Sequence, residues 1–181
     1  MDLNWKLNKT EHIVQDEWID FRKESFILPD GKEFSPFYNY SRRNFVVIIA
    51  KTKDGKYITV RQFRHGLKKV TTEFCAGGIE GSEHESALLA AKRELEEETG
   101  YISDNWKHIY TIPSNPTIAD NYAFLYYADN CEKACDQHLD STEFLEVKEY
   151  TEDEINDLIK NNEFVQPIHL MGWLMLKKGV L

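Results

Sequence analysis

Residues 93–98 read Arg-Glu-Leu-Glu-Glu-Glu, which sets one guanidinium among four carboxylates within one and a half helical turns. At about 100° per residue, Glu94 and Glu98 fall almost one above the other, with Glu97 beside them. Carboxylates at i and i+4 repel, costing an isolated helix roughly 0.2–0.5 kcal/mol per pair. A divalent cation held by oxygen ligands is the natural charge to offset that repulsion. The competing reading is a solvated acidic face, the usual fate of such runs. Here the acids arrive together with a Gly77-Gly78 turn, Ser82, Glu85 and Arg93, and that company favours a site.

The element that must position these acids is a helix with marked ends. Ser82 followed three residues later by Glu85 reads as a capping box, with the serine as N-cap. Gly100 is the expected stop. Leu88, Ala91 and Leu95 mark the face that packs inward. Ala87 and Ala90 lie on the side of Glu94 and Glu97, so that side is expected to leave room for a ligand.

At these residues the chain resembles the Nudix family, whose box reads G-x5-E-x7-R-E-U-x-E-E-x-G-U, with U aliphatic. Glu85, Arg93, Glu94, Leu95, Glu97, Glu98 and Gly100 fit the pattern without a gap. Two departures stand: six residues separate Gly78 from Glu85, and Tyr101 occupies the last aliphatic position. The first implies a longer turn before the helix. The second is a buried-aromatic exchange that should leave the chemistry alone.

Composition bounds the rest. At 181 residues, with 41% apolar residues and four tryptophans, the chain can build one substantial core. No stretch of 18 apolar residues indicates a membrane span. The first residues lack the apolar core of a signal peptide, so a cytoplasmic protein is expected. Cys75, Cys131 and Cys135 have no common metal or redox spacing and read as reduced thiols. The six histidines form no evident ligand set. A formal charge of −9 argues against nucleic acid as a partner. An acidic chain acting on a phosphate-bearing substrate needs local cations, from metal ions and a few arginines.

Along the chain, residues 17–28 and 33–40 read as strands about a Pro-Asp-Gly-Lys turn, a hairpin. Asn44–Lys51 is a continuous apolar strand of the doubly buried type, and Tyr57–Arg64 alternates as its paired neighbour. Strands follow at Val70–Cys75, Trp106–Ile112, Tyr122–Ala128 and Thr142–Tyr150. Thr151 opens a helix with a second capping box, and Pro167–Lys178 forms a last one. Mixed strands with helices on both faces predict an α/β layered domain. The resemblance implies a Nudix-type α/β/α sandwich with a mixed sheet over residues 44–181. Residues 1–43 are then an N-terminal β-hairpin or sheet extension that mediates homodimerisation, as in relatives acting on ADP-ribose.

Transferred by position, the resemblance implies Mg²⁺ (or Mn²⁺) held by Glu94 and Glu98, with Glu97 as a third ligand or water holder. The backbone carbonyl of Ala76 is the implied non-acidic ligand. Arg93 orients Glu94 and the turn. Glu85 is either the partner of Ser82 or a group bonded to the metal's ligands. The general base is sought after the box, in His138–Val147: Glu143 first, then Asp140 and Asp136. The segment from Thr59 through Gly78 resembles the strand–loop–strand of ADP-ribose pyrophosphatases. There Arg64 is placed to meet a diphosphate, with Arg61 on the opposite face. Glu73 either fixes a ribose hydroxyl or pairs with Arg64. Gly77 and Gly78 would line the substrate, together with Asn115 in the loop Ser114–Asn121. An adenine platform would come from Tyr38, Phe37 or Tyr40, each of which could equally be sheet packing. The implied activity is metal-dependent hydrolysis of a nucleotide sugar, ADP-ribose to AMP and ribose 5-phosphate. The alternatives are another sugar such as GDP-mannose, or a domain kept as a ligand sensor. Sensors often carry damaged box glutamates, and here all three are present.

Overall fold

The chain opens in strand β1 (Lys6–Gln15), whose residues are exposed at every position except Thr10. It pairs antiparallel with β2 (Asp20–Ile27), which pairs in turn with β3 (Glu33–Ser41). This three-stranded sheet corrects the expected hairpin by one strand. The computed structural model describes residues 2–80 and 86–179, and these fall into two compact units. The first holds residues up to 44 together with 113–122. Trp5, Phe26, Phe34 and Phe37 meet edge to face on the sheet, with centroids 5.8–6.3 Å apart. Arg22 gathers Asp20 at 3.0 Å, Glu24 at 3.3 Å and Asp120 at 3.3 Å.

The second unit is built on β4 (Phe45–Thr52), where Val46 through Ala50 have no exposed surface. The chain continues through β5 (Tyr57–Arg64), β6 (Lys69–Glu73), β7 (Cys75–Gly78), α1 (Ala87–Thr99), β8 (Tyr101–Ile102), β9 (Asn105–Pro113), β10 (Tyr122–Lys133) and β11 (Leu145–Tyr150). It closes with α2 (Glu152–Lys160) and α3 (Pro167–Lys178). Among the described residues these strands form one mixed sheet in the order β11-β5-β4-β10-β8, with β6 on β5, β7 on β4 and β9 on β10. β4 and β10 pair in parallel, whereas β4 runs antiparallel to β5 and β7.

Alternation along β4 explains the layers. Val46, Ile48 and Ala50 pack with Ala90, Ala91 and Leu95 of α1 on one face. Val47 and Ile49 pack with Ile155 of α2, Trp173 of α3 and Phe164 on the other. A strand covered on both sides must be apolar at every position, which is why it reads as an unbroken run. The result is the expected α/β/α sandwich. Thr151 caps α2 through a complete capping box, and Pro167 starts α3 at its first turn, where no N–H is missed. No described helix is long and apolar enough to cross a membrane. Cys75, Cys131 and Cys135 are free thiols.

Two details of α1 differ from expectation. Its N-cap is Ser86, whose hydroxyl accepts from Leu89 N at 3.3 Å. Ser82 and Glu85, expected to form the cap, lie outside the described residues. Ala90 is fully buried in the core. Its small side chain lets helix and sheet approach, so it opens no space for a ligand.

One buried histidine links the fold to pH. His169, 4% exposed, accepts from Phe74 N on Nδ1 at 3.2 Å. Burial, with the charge of Arg64 behind it, drives its pKa down to about 3. The folded protein therefore keeps this ring neutral where the unfolded chain, with an ordinary value near 6.5, takes up a proton. Stability from this group is whole above pH 6.5 and declines as pH falls toward 3. Between pH 7.5 and pH 5 the share of stability due to this ring falls by about 2 kcal/mol. Urea unfolding at the two pH values checks it against His169→Asn, whose amide oxygen can replace the acceptor. An equal pH dependence in that variant would assign the loss elsewhere.

Candidate active site

Helix α1 presents its acids by phase. Glu94 and Glu98 are turned inward, 9% and 4% exposed, while Glu96 faces solvent. Strand β7 lies beside them. Ala76 N donates to Glu98 Oε2 at 3.2 Å, and Gly78 O accepts from Arg93 Nη2 at 3.1 Å. Arg93 Nη1 donates both to Glu94 Oε1 at 3.0 Å and to Glu97 Oε2 at 2.9 Å. The guanidinium thus ties two box carboxylates to the glycine turn, the orienting geometry expected of it.

Gly77 is the tightest point. A Cβ built there would stand 1.9 Å from Glu94 Cδ and within 2.2 Å of both carboxylate oxygens. Only glycine lets this carboxylate lie against the strand.

The electrostatics are those of crowded acids. Burial pushes the Glu94 carboxyl up to about 7, and the charges of Glu97 and Glu143 add to it against the pull of Arg93. Burial likewise pushes Glu98 up to about 8, with Glu94 and Glu143 adding to it. Glu143, exposed in the loop before β11, is therefore close enough to bear on both. Its own turn is closed by Glu143 N donating to Asp140 O at 2.9 Å and Asp140 N donating to Glu143 Oε2 at 3.1 Å. Asp136 is exposed.

Whether these residues suit a hard dication follows from that donor set. Four carboxylates press on one another with one guanidinium among them, and oxygen-only donors of this kind match Mg²⁺ or Mn²⁺. Among the described residues no three acidic, His or Cys side chains already converge into a closed ligand set. Glu97 is engaged with Arg93 instead. The residues fit the ion by charge and donor type.

Strands β5 and β6 bring the next pair. Arg64 Nε donates to Glu73 Oε1 at 2.8 Å, and Glu73 is fully buried. Burial raises the Glu73 carboxyl, countered first by Arg64 and then by Gln166 and Gln62. Of its two candidate roles, Glu73 forms the pair with Arg64. Arg61 projects elsewhere and pairs with Glu146 at 3.0 Å. Tyr38 and Asn115 belong to the first unit. Tyr38 stacks on Phe21 at 5.8 Å, and Asn115 O accepts from Ile118 N and Ala119 N in its own turn. Tyr101 packs against the α1 side of the core, and its hydroxyl donates to Glu149.

The NUDIX domain model matches residues 40–169. The chain belongs to the Nudix family of hydrolases. An ADP-ribose pyrophosphatase of Bacillus subtilis (strain 168) is 32% identical over 174 residues, covering 94% of this chain and 92% of its own. A methanol dehydrogenase activator of Bacillus methanolicus is 33% identical over 156 residues, covering 86% and 83%. Among solved Nudix-like folds, an ADP compounds hydrolase superposes with a TM-score of 0.83 at 17% identity, over 99% of this chain and 96% of that one. That likeness carries the fold. One contact of this Nudix helix had no forewarning in the sequence. Gln137 Nε2 donates to Glu98 O at 2.7 Å, and a glutamine in a polar loop carries no pattern that announces it.

Proposed function

We propose that this Nudix hydrolase cleaves the diphosphate of a nucleoside diphosphate sugar, ADP-ribose first, giving AMP and ribose 5-phosphate. The burial of Glu94 and Glu98 side by side, with Glu97 and Glu143 in electrostatic reach, is the observation that carries the reading. The ADP-ribose pyrophosphatase activity named for the Bacillus subtilis relative supports the substrate.

In this reading Glu94 and Glu98 would hold Mg²⁺, and Glu97 and the Ala76 carbonyl would complete the protein's share. When bound, the ion supplies positive charge to the oxygens of the phosphorus under attack. Glu143 takes the proton of the attacking water as its oxygen bonds to phosphorus. The bridging P–O bond breaks, and one phosphate leaves on each product. Arg64, held from behind by buried Glu73, offers its remaining guanidinium edge to the diphosphate. Gly78, with open space where a Cβ would stand, leaves the strand free for the substrate to approach, while Gly77 makes room for the Glu94 carboxylate.

The test is phosphate release from a panel of nucleotide sugars with Mg²⁺, using a phosphatase that attacks only the products. Preference for ADP-ribose supports the reading. Faster turnover of GDP- or UDP-sugars keeps the chemistry and overturns the substrate. Tight binding without turnover moves the protein to a sensor.

We further propose that the N-terminal sheet pairs two copies of the chain. Trp5, Leu7 and Phe34 remain 47%, 58% and 42% exposed on it, and clustered exposed apolar side chains suit an interaction surface. Trp5→Ser is expected to shift the protein to monomer in sedimentation velocity. An unchanged sedimentation coefficient would sink the assignment.

A further inference from the structure

The carboxyl end of α1 is closed by one loop. Gly100, at a left-handed φ of 72°, donates its N–H to Glu96 O at 2.7 Å. The next carbonyls are taken by the last residue of β10 and the segment that follows it. Glu97 O accepts from His138 N at 2.9 Å, Glu98 O from Gln137 Nε2 at 2.7 Å, and Thr99 O from Lys133 Nζ at 2.7 Å. Gly100 O accepts from Ala134 N at 2.9 Å and Cys135 N at 3.2 Å. Helix ends leave such carbonyls orphaned unless something outside the helix meets them. The contact is close: a Cβ on Gly100 would lie 2.2 Å from Cys135 O.

Beyond His138 the grip ends. Residues 140–144 are exposed, and the next regular pairing is Leu145 with Gln62 at the start of β11. Gln137 is thus the last side chain to fasten the loop before Glu143, and it fastens it to the peptide of Glu98 itself. We propose that Gln137 is a positioning residue, which registers the Glu143 loop against the carboxylate helix so that the base faces the site. Its amide is suited to this. It donates to a carbonyl without adding charge to a crowd of acids, where lysine or glutamate would disturb the balance. The proposal rests on the reading of Glu143 as the base, and the experiment separates the two.

The test is a double-mutant cycle on ADP-ribose hydrolysis with Glu143→Gln and Gln137→Leu, with Gln137→Glu as a second variant that keeps length but donates nothing when ionised. Thermal melts establish that each variant is folded, and calorimetry with Mg²⁺ alone measures the ion's affinity. Gln137→Leu is expected to lower kcat about tenfold at unchanged KM, the worth of one hydrogen bond. Glu143→Gln is expected to lower it about a hundredfold. In the Glu143→Gln background the Gln137 change should cost less than about twofold, because the base it registers is gone. Mg²⁺ affinity should stay at the wild-type value throughout. Independent, multiplying losses would reduce Gln137 to a structural contact and overturn the proposal. So would weakened Mg²⁺ binding that matches the loss of rate, since Gln137 would then act through Glu98. Full activity of Glu143→Gln alone would remove the base reading and this proposal with it. Full activity of both Gln137 variants beside a crippled Glu143→Gln would remove this proposal only.

Discussion

Glu98→Gln is expected to lower turnover of the preferred nucleotide sugar by about a hundred- to a thousandfold at saturating Mg²⁺. Glu98 is 4% exposed and accepts from Ala76 N at 3.2 Å. The glutamine oxygen can keep that bond, so the fold has no reason to fail. What disappears is a charge that burial already opposes, in a site pushed up to about 8. Removing a buried, repelled carboxylate should leave the melting temperature of the metal-free protein unchanged or higher. Stability and catalysis thus part in one substitution. Rate assays with excess Mg²⁺, set beside thermal melts without it, make the comparison. Turnover within twofold of wild type would exclude Glu98 as a ligand.

Gly77→Ala should be nearly as damaging through a single methyl group. The added carbon would fall 1.9 Å from Glu94 Cδ, and the backbone cannot retreat, because Gly77 is paired with Val46 in the sheet. Gly77 is not among the glycines at positive φ, so alanine suffers no backbone penalty there. The whole cost is contact. The Glu94 carboxylate must swing away, giving up its 3.0 Å bond from Arg93. Overpacking of this kind costs about 1–3 kcal/mol of stability, and the displaced ligand should cost about a hundredfold in kcat. Calorimetric titration with Mg²⁺ distinguishes the two effects. Wild-type affinity in the variant would mean that Glu94 does not hold the ion, or that Gly77 does not set its place.

Elements were legible where one force dominated the residue choice. β4 announced itself because both its faces are covered, and α3 because its run is rich in Leu, Met and Trp. The alignment of Glu94 with Glu98 followed from angle alone, whereas their burial did not. β1 escaped because its side chains are almost all in water, so no apolar alternation was ever selected. The small residues before Glu94 were read as space for a ligand, yet Ala90 is packed against the sheet. Composition reports the size of a side chain, and only the fold says what lies opposite. The clasp at the end of α1 was invisible for a deeper reason. Its acceptors are main-chain carbonyls, which every residue type carries.

The parallel pairing of β4 with β10 has a consequence for how the chain is made. Val47 meets Leu125 in that pairing, so β4 emerges during synthesis long before its partner exists. Closing so long a segment costs chain entropy before any contact compensates it. Until then the apolar strand β4 has its antiparallel neighbours β5 and β7 but one open edge, the arrangement that invites association between nascent chains. The carboxylate helix lies between the two strands in sequence, and the core it packs on takes Tyr126, Ala128 and Cys131 from β10. Completion of the core beneath the site is therefore a late event in folding, and a chain released before residue 122 would carry every box glutamate above a core that lacks those three residues.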